Sequence, residues 1–270
     1  MISVASRLAA TTLRVLPRKR LSRLIGQVMA VRAPATVLAR AVGAFSRIYQ
    51  VDMSETEIPS GGFTTFDAFF TRALKPGSRP IDPDWRAVVS PADGKIEASG
   101  EIVSEGCRLS VKGQSYTVQD LLADPAGAGQ FAGGFYAVVY LSPRDYHRVH
   151  APVTGKVLSV RHVPGTLFPV NSIGEHVPQL FARNERVAVI QENPPHGVVA
   201  TILVGAMGVG RISLSFEHVP GSVLQAGDEI GVFHLGSTVV VLGSARQAFE
   251  LTAHAGAATR MGTTLGRYRS

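Results

Sequence analysis

The sequence predicts an α+β fold in which a mainly antiparallel, β-rich domain follows an N-terminal amphipathic helical segment. Three observations lead to this prediction. The first 50 residues have apolar side chains at helical spacing. From about residue 88 onward, short β-like runs are separated by glycine and proline. No helical runs alternate with those β-like runs, which argues against a doubly wound parallel sheet.

Amphipathic helices are predicted on both sides of Pro34. In LSRLIGQVMAV (residues 21–31), apolar side chains recur three and four positions apart, with Arg23 on the opposite side. Over residues 37–49 a second apolar face forms opposite Arg40. Neither run approaches the roughly 20 consecutive apolar residues of a membrane-spanning helix. Both helices are therefore expected to lie on a surface.

The positive charge of the chain is concentrated in this helical segment. Residues 1–50 hold nine of the 27 basic residues and none of the 20 acidic ones. Amphipathic helices with arginine on the polar side suit a membrane rich in anionic lipid, and a hairpin packed on its own domain is the alternative. Aromatic and base-reading side chains are not interleaved with the charge, so no nucleic-acid partner is expected. We therefore predict a membrane-docking segment over residues 1–60 and a β-rich domain over residues 61–270.

The β-rich domain is predicted to begin with a short helix and to continue mostly as strands. The helix is FDAFF (residues 66–70), capped near Thr64 or Thr65. Antiparallel pairing is expected because no helices alternate with these runs, as a parallel sheet would require. The strands are predicted at residues 135–141, 156–163, 186–191, 198–204 and 211–216.

Two histidines, His147 and His150, follow the predicted strand at 135–141. Ser142 is a good helix N-cap and proline follows it, so a helical turn is predicted over residues 142–150. Such a turn would place the two rings on neighbouring faces. A histidine pair at this spacing can bind a metal, orient a proton transfer or be half-exposed.

An acid and a hydroxyl complete the set of candidate catalytic residues. Asp93 lies in the turn SPADGKI, and Ser237 lies in HLGST, late in the chain. Each has an ordinary explanation as a turn residue. Together with a histidine they supply the acid, base and hydroxyl of an activated serine. Zinc held by Asp93, His147 and His150 is the competing interpretation.

Eight segments matter through their joint order and spacing. They are FFTRALKPGSRPID (69–82), SPADGKI (90–96), YHRVHAPVTG (146–155), GTLFPVN (165–171), FARNERV (181–187), GAMGVGRI (205–212), AGDEIGVF (226–233) and LGST (235–238). Together they resemble phosphatidylserine decarboxylase of the bacterial membrane-associated type. The resemblance runs from about residue 63 to residue 242. The N-terminal 50 residues match that family in character rather than in motif.

The resemblance implies a self-processing enzyme. Ser237 would attack the carbonyl of Gly236, and the chain would be cut into a β chain (1–236) and an α chain (237–270). Ser237 would become a covalent pyruvoyl cofactor that forms a Schiff base with the substrate amine. The family roles place Asp93 and His150 as the pair that activates Ser237, and His147 as the proton donor in the later decarboxylation. No metal is implied.

The resemblance also implies a substrate and a location. Phosphatidylserine in an anionic membrane would become phosphatidylethanolamine and CO2, as a step of phospholipid biosynthesis at the cytoplasmic side of the inner membrane, with the enzyme bound peripherally. The two chains would form a heterodimer, and a dimer of heterodimers stays open. In GTLFPVN, Leu167, Phe168 and Asn171 are the candidate substrate-binding residues, with a buried turn as the alternative. His234 is expected to be structural.

Other functions stay open beside this one. AGDEIGVF and SPADGKI also resemble barrel-sandwich domains of the carrier kind, and such a non-enzymatic binding module would keep the Gly236–Ser237 bond intact. The chain lacks the exposed lysine tip that a lipoyl carrier needs. A zinc peptidase using Asp93, His147 and His150 is the third interpretation. A soluble serine derivative is an alternative substrate for a decarboxylase.

Overall fold

The computed structural model describes residues 18–170, 177–207, 211–215 and 220–269, with side chains from Ser22 onward. Asn171 of the candidate substrate pocket lies outside the described residues. The helices are α1 (Arg18–Met29), α2 (Ala35–Tyr49), α3 (Phe66–Phe70), α4 (Val118–Leu122), the 3-10 helix Ala128–Phe131 and α5 (Leu180–Arg183). The strands are β1 (Ala87–Val89), β2 (Gly94–Glu101), β3 (Arg108–Val111), β4 (Gln114–Thr117), β5 (Phe135–Leu141), β6 (Arg148–His150), β7 (Gly155–Val163), β8 (Arg186–Asn193), β9 (Gly197–Gly205), β10 (Ile212–Leu214), β11 (Val223–Leu224), β12 (Glu229–Phe233), β13 (Ser237–Gly243), β14 (Phe249–Leu251), β15 (Ala258–Thr259) and β16 (Thr264–Tyr268).

An antiparallel sheet of eight strands dominates the described part of the chain. Its strand order is β11-β7-β8-β9-β13-β5-β2-β15. Smaller sheets, β1-β16-β14 and β10-β12-β6, and the hairpin β3-β4 surround it. The predicted α+β class with mainly antiparallel pairing is therefore confirmed.

The centre of the large sheet is formed by strands that are apolar on both faces. Every residue of β9 and of β13 is buried. Their β-branched side chains pack well on a pleated surface, which explains why these runs form strands. Because β13 pairs with β9 on one side and β5 on the other, it is an interior strand of the sheet. The residue that opens β13 is Ser237.

The predicted amphipathic helices are present as α1 and α2. Phe45 of α2 packs against the rings of Phe66 and Phe69 in α3, with centroids 5.1 and 5.8 Å apart. The predicted cap of α3 is also present, because Thr65 Oγ1 accepts a hydrogen bond from the backbone N–H of Ala68 at 3.0 Å. Within the described ranges, no helix combines the length and apolar character needed to cross a membrane.

The helical turn predicted over residues 142–150 is wrong. Asp145 does reach back, since its carboxylate accepts from the backbone N–H and the hydroxyl of Ser142 at 2.7 Å each. The chain then leaves the turn and enters β6 at Arg148. Strand β6 pairs with β12, and this tertiary pairing overrides the local helical preference. His150 is therefore a strand residue, and His147 precedes the strand.

Candidate active site

Ser237 enters the centre of the large sheet. It lies opposite Leu141 of β5 and Gly205 of β9. Its side chain is fully buried, and its hydroxyl has no hydrogen-bond partner among the described residues. Thr201 and Tyr268 also have buried hydroxyls without a partner in the described part of the chain, so the hydroxyl of Ser237 is singled out by its position directly after Gly236. Ser237 is the predicted nucleophile.

The backbone just before Ser237 is strained. Leu235 has a φ of 150°, a value that a bulky side chain rarely adopts. A Cβ added at Gly236 would meet nothing within 4 Å, so the space beside this residue is open. Strained backbone persists only where the surrounding structure enforces it, and it clusters at functional sites. The peptide expected to break therefore follows a residue in a high-energy conformation.

His147 lies on the loop that faces this segment. The backbone N–H of Phe233 donates to the carbonyl of His147 at 3.0 Å, while Leu141 pairs with Ser237. The same two chain segments are thus joined at two places. Residues 142–146 and residues 234–236 are the two loops that lie between those places. His147 is fully buried, and its ring centroid is 4.1 Å from that of Phe70. The fold thus brings His147 to the same end of the sheet as Ser237.

The His147 ring is held as a neutral imidazole. Its Nδ1 lies 2.8 Å from the carbonyl oxygen of Asp145, which can only accept, so Nδ1 carries the proton. Its Nε2 has no partner among the described residues and presents a free lone pair. Burial lowers the pKa of His147 from 6.5 to about 3. At neutral pH this ring is a base rather than an acid.

The His150 ring has a different environment. Its Nδ1 lies 2.7 Å from the carbonyl oxygen of Gly227 and must donate to it. Its Nε2 therefore accepts from the hydroxyl of Tyr146 at 3.1 Å. Burial lowers the pKa of His150, while the contact with Gly227 and the charges of Glu229 and Asp93 oppose that shift. The charge of Arg148 acts with burial, so the net pKa of His150 is below its usual value, and the ring is oriented at both nitrogens.

Asp93 lies beside His150 through the backbone. The N–H of His150 donates to the carbonyl of Pro91 at 2.8 Å, which fixes the SPADG turn against β6. The Asp93 carboxylate accepts from the Arg79 guanidinium at 2.9 and 2.5 Å and from the backbone N–H of Met261 at 2.8 Å. The direct partners of this carboxylate are therefore Arg79 and Met261, and its effect on His150 is through charge.

Sequence reasoning missed the two arginines of FFTRALKPGSRPID. Arg79 holds Asp93. Arg72 is buried and donates from Nη2 to the carbonyl of Arg144 at 3.0 Å, and its Nε and Nη1 have no partner among the described residues. It lines a cavity of about 280 Å³ together with Asp93 and Tyr146. The signal that could have identified Arg72 and Arg79 is their position in FFTRALKPGSRPID, one of the segments that resemble the family.

The candidate substrate residues Leu167 and Phe168 are both buried. Asn184 fixes this segment, since its side chain accepts from the N–H of Phe168 and donates to its carbonyl, at 2.9 Å each. Leu167 lies 3.5 Å from the Cβ position of Gly205, which pairs with Ser237. The segment therefore backs the strand next to the nucleophile. Its role in binding substrate stays a prediction.

The potential zinc ligands do not converge. Asp93 faces Arg79, while His150 faces Tyr146 and Gly227. Across the ranges that the structure describes, no three His, Cys, Asp or Glu side chains are grouped as metal ligands.

The buried neutral state of His147 predicts a pH dependence of stability. Its pKa is lower in the folded than in the unfolded chain, so the unfolded state takes up a proton first as pH falls. The resulting stability is present above pH 6.5 and is lost between there and pH 3, at about 1.4 kcal/mol per pH unit. We expect His147→Asn to remove this slope between roughly pH 6 and 4 in urea unfolding. Both of the proteins compared, with and without this substitution, carry Ser237→Ala so that they stay uncut. Equal slopes for the two proteins would contradict the assignment.

Comparison with known proteins identifies the family. The family model described as phosphatidylserine decarboxylase matches residues 66–267. A phosphatidylserine decarboxylase proenzyme of Anaeromyxobacter sp. (strain K) is 41% identical, covering 96% of this chain and 98% of the relative. Proenzymes of the same name from Azotobacter vinelandii and Myxococcus xanthus are 43% and 39% identical, over 84% and 85% of this chain and 86% and 87% of the relatives. The chain therefore belongs to the phosphatidylserine decarboxylase family.

Proposed function

We propose that this chain is a self-processing decarboxylase that converts phosphatidylserine to phosphatidylethanolamine and CO2. The observation that carries the proposal is the fully buried, unpartnered hydroxyl of Ser237, which follows the strained Leu235. A serine with this environment fits a precursor whose hydroxyl is consumed rather than kept in a hydrogen bond. Family membership favours this function over the carrier module and the zinc peptidase.

The self-cleavage would proceed by attack of Ser237 Oγ on the carbonyl carbon of Gly236. The C–N bond breaks, an ester forms, and the serine nitrogen becomes an amine. Elimination then removes the Cα proton of residue 237, breaks its Cβ–O bond and releases Gly236 as a carboxylate. Water hydrolyses the remaining enamine, through its imine, to a pyruvoyl group with loss of ammonia. This group supplies an electron-withdrawing carbonyl for the decarboxylation.

The base for the attack is proposed to be His150, supported by Asp93. The Gly227 carbonyl fixes the proton on Nδ1, so the lone pair is on Nε2, the atom that faces Tyr146. Taking the proton of Ser237 would create an imidazolium. The charges of Glu229 and Asp93 favour that cation, as they raise the pKa of His150 against the effect of burial.

His147 is proposed to serve the decarboxylation. Its free Nε2 is unpartnered and buried, and its low pKa keeps it unprotonated before substrate binds. An anionic headgroup placed beside the ring would raise that pKa, because an opposite charge favours the cation. The ring would then deliver a proton to the carbon that loses CO2. Substrate binding and protonation would thus be coupled.

The two products of cleavage would remain together as a heterodimer. The α chain, residues 237–270, begins with β13, which is hydrogen-bonded to β9 and β5 on its two sides. Strand β16 in the same chain pairs with β1 of the β chain. These contacts belong to the core of the fold, so no covalent link is needed to hold the chains together.

Residues 1–60 are proposed to dock on a membrane surface, and residues 61–270 to form the catalytic domain. Leu24 and Val28 of α1 are 57% and 65% exposed, and Ile48 of α2 is 74% exposed. This cluster lies in the segment that carries the excess of arginine. Exposed apolar residues together with cationic ones favour an interface with anionic lipid. Peripheral binding at the cytoplasmic side of the inner membrane follows as part of the proposal.

We expect Leu24→Glu combined with Val28→Glu to weaken binding to vesicles containing anionic lipid at least tenfold. Each exposed apolar side chain contributes about 1.5–3 kcal/mol when it enters the interface, and the new charges repel the lipid. Co-sedimentation with vesicles measures the effect. Val103→Glu combined with Val223→Glu is the matched control, since these residues are 58% and 60% exposed on the β-rich domain. Equal losses for both pairs would argue against docking through α1.

The intact mass of the purified chain under denaturing conditions tests the function directly. Two chains that divide between Gly236 and Ser237, the smaller one with a pyruvoyl mass, are expected. Incubation with phosphatidylserine in detergent micelles should then release CO2. A single unbroken chain that releases no CO2 would overturn the proposal, and it is the result that a carrier module would give.

A further inference from the structure

A second cavity, away from Asp93, lies beneath the helical segment. Its volume is about 280 Å³. Helix α1 forms one wall, α3 contributes Asp67, and the segment before the cleavage site contributes His234. The lining residues are Arg23, Gly26, Gln27, Ala30, Asp67, Arg211 and His234. We call this space the headgroup cavity.

His234 joins the wall of the headgroup cavity to the cleavage segment. Its Nδ1 lies 2.8 and 2.9 Å from the two carboxylate oxygens of Asp67. Its Nε2 lies 2.9 Å from the hydroxyl of Ser213 and 3.3 Å from Nη2 of Arg211. Both ring nitrogens are therefore occupied, and the expectation of a structural role for His234 stays consistent with these contacts. Because the Arg211 guanidinium can only donate, Nε2 accepts and Nδ1 donates to Asp67, whose carboxylate keeps its negative charge.

The formal charge of the headgroup cavity is positive, because the two arginines, Arg23 and Arg211, outweigh the single carboxylate of Asp67. Neither Arg23 nor Arg211 forms a salt bridge with any acidic side chain that the structure describes. Two guanidinium groups in one cavity suit an oxyanion, because their planar forks donate paired hydrogen bonds to phosphate. By contrast, the cavity beside Asp93 contains four carboxylates and four arginines, so its formal charges cancel.

The wall contributed by α1 suits the rest of an amphiphilic ligand. Gly26 and Ala30 are one helical turn apart and leave that wall without a bulky side chain. The same helix exposes Leu24 and Val28 to solvent. A ligand with an anionic centre and an apolar body could therefore place its charge at the arginines and its body along the helix.

We propose that the headgroup cavity binds the phosphodiester of the phospholipid substrate, with Arg23 and Arg211 as its ligands. This proposal rests on the proposed function, since it states where the lipid of that reaction is held. His234 positions Arg211 through their direct contact and lies three residues before Ser237. The phosphodiester would thus be bound next to a segment that lies three residues from the reacting Ser237. Arg23, from the docking segment, would complete the site only when α1 covers the cavity.

The test measures binding apart from catalysis. The full chain with Ser237→Ala cannot form the cofactor, so bound lipid is not turned over. Dihexanoyl phosphatidylserine, kept below its micellar concentration, is titrated in a calorimeter and presents no membrane surface. We expect saturable binding that weakens at least tenfold with Arg211→Gln and with Arg23→Gln. Both residues are exposed, so the variants are expected to fold, which their thermal unfolding checks.

Arg40→Gln is the matched control. Arg40 is an exposed arginine of α2 that does not line the headgroup cavity, and its loss should leave binding unchanged. An equal loss for Arg40→Gln would overturn the proposal in favour of general attraction. Absence of binding, or inorganic phosphate binding as tightly as the short-chain lipid, would also overturn it. A wild-type chain that fails to release CO2 while the Ser237→Ala chain binds the lipid would contradict the proposed function alone.

Discussion

Ser237→Ala is expected to leave the protein as a single chain of 28.6 kDa without decarboxylase activity. The methyl group cannot attack Gly236, and it cannot become a pyruvoyl group. Both the processing and the chemistry are therefore lost in one substitution, so the expected loss of activity is complete. Denaturing electrophoresis and intact mass measure the processing, and CO2 release measures the activity.

The fold should tolerate this change well. The hydroxyl of Ser237 has no partner among the described residues, so its removal leaves no donor or acceptor newly unsatisfied. Ser244→Ala, just beyond the other end of β13, is the matched control. Ser244 Oγ accepts from the N–H of Val198 at 2.9 Å, and losing that bond costs about 1–3 kcal/mol.

The control should thus be the less stable protein and still be cut. If Ser244→Ala stays uncut while Ser237→Ala is cut, cleavage depends on the stability of β13 rather than on the Ser237 hydroxyl. Full activity of Ser237→Ala would exclude the pyruvoyl mechanism.

Substitution of the two histidines is expected to separate processing from decarboxylation. His150→Ala should stay uncut, because the lone pair that takes the proton of Ser237 is removed. His147→Ala should be cut and then decarboxylate poorly, by a factor of about 10² to 10⁴, which is typical of a lost general acid or base. Intact mass and CO2 release on the same samples report both steps.

Each ring has one nitrogen lone pair that can take a proton, so each alanine substitution removes one candidate base. His147 has a free Nε2, whereas Nε2 of His150 faces Tyr146. If His147→Ala stays uncut and His150→Ala is cut, the two roles are exchanged. Tyr146→Phe is a useful companion, since it frees Nε2 of His150 while keeping the ring that stacks on it. Its cleavage should be retained if His150 is the base.

Much of the fold could be predicted because its causes are local. The β-branched and aromatic side chains of residues 135–141 and 198–204 favour strands, and their mostly apolar character suits burial inside a sheet. The cap at Thr65 likewise determines where α3 begins. By contrast, SPRDYHRVH carries the local pattern of a helix start, and only the pairing of β6 with β12 makes it a strand. Nothing in that stretch itself reveals the partner.

The site was predictable in its residue types and not in its pairings. Asp93, His150 and Ser237 were identified through motifs whose order matched a family. The partner of Asp93 is Arg79, and the partner of His234 is Asp67, which lies 167 positions earlier in the chain. Contacts over such separations depend on how sheets and helices assemble. A single sequence does not record that assembly.

Because β13 lies at the centre of the sheet, the proposed cleavage follows folding and is not simply reversed by refolding. Under the proposed cleavage, the new end of the α chain is created inside a structure that folded as one polypeptide. Afterwards, unfolding would release two separate molecules, and recovery would require them to meet again in solution. Folding before the cut is an intramolecular event, while refolding after it depends on concentration. The mature protein would then persist through slow unfolding rather than reversible equilibrium, and a molecule once denatured would be lost.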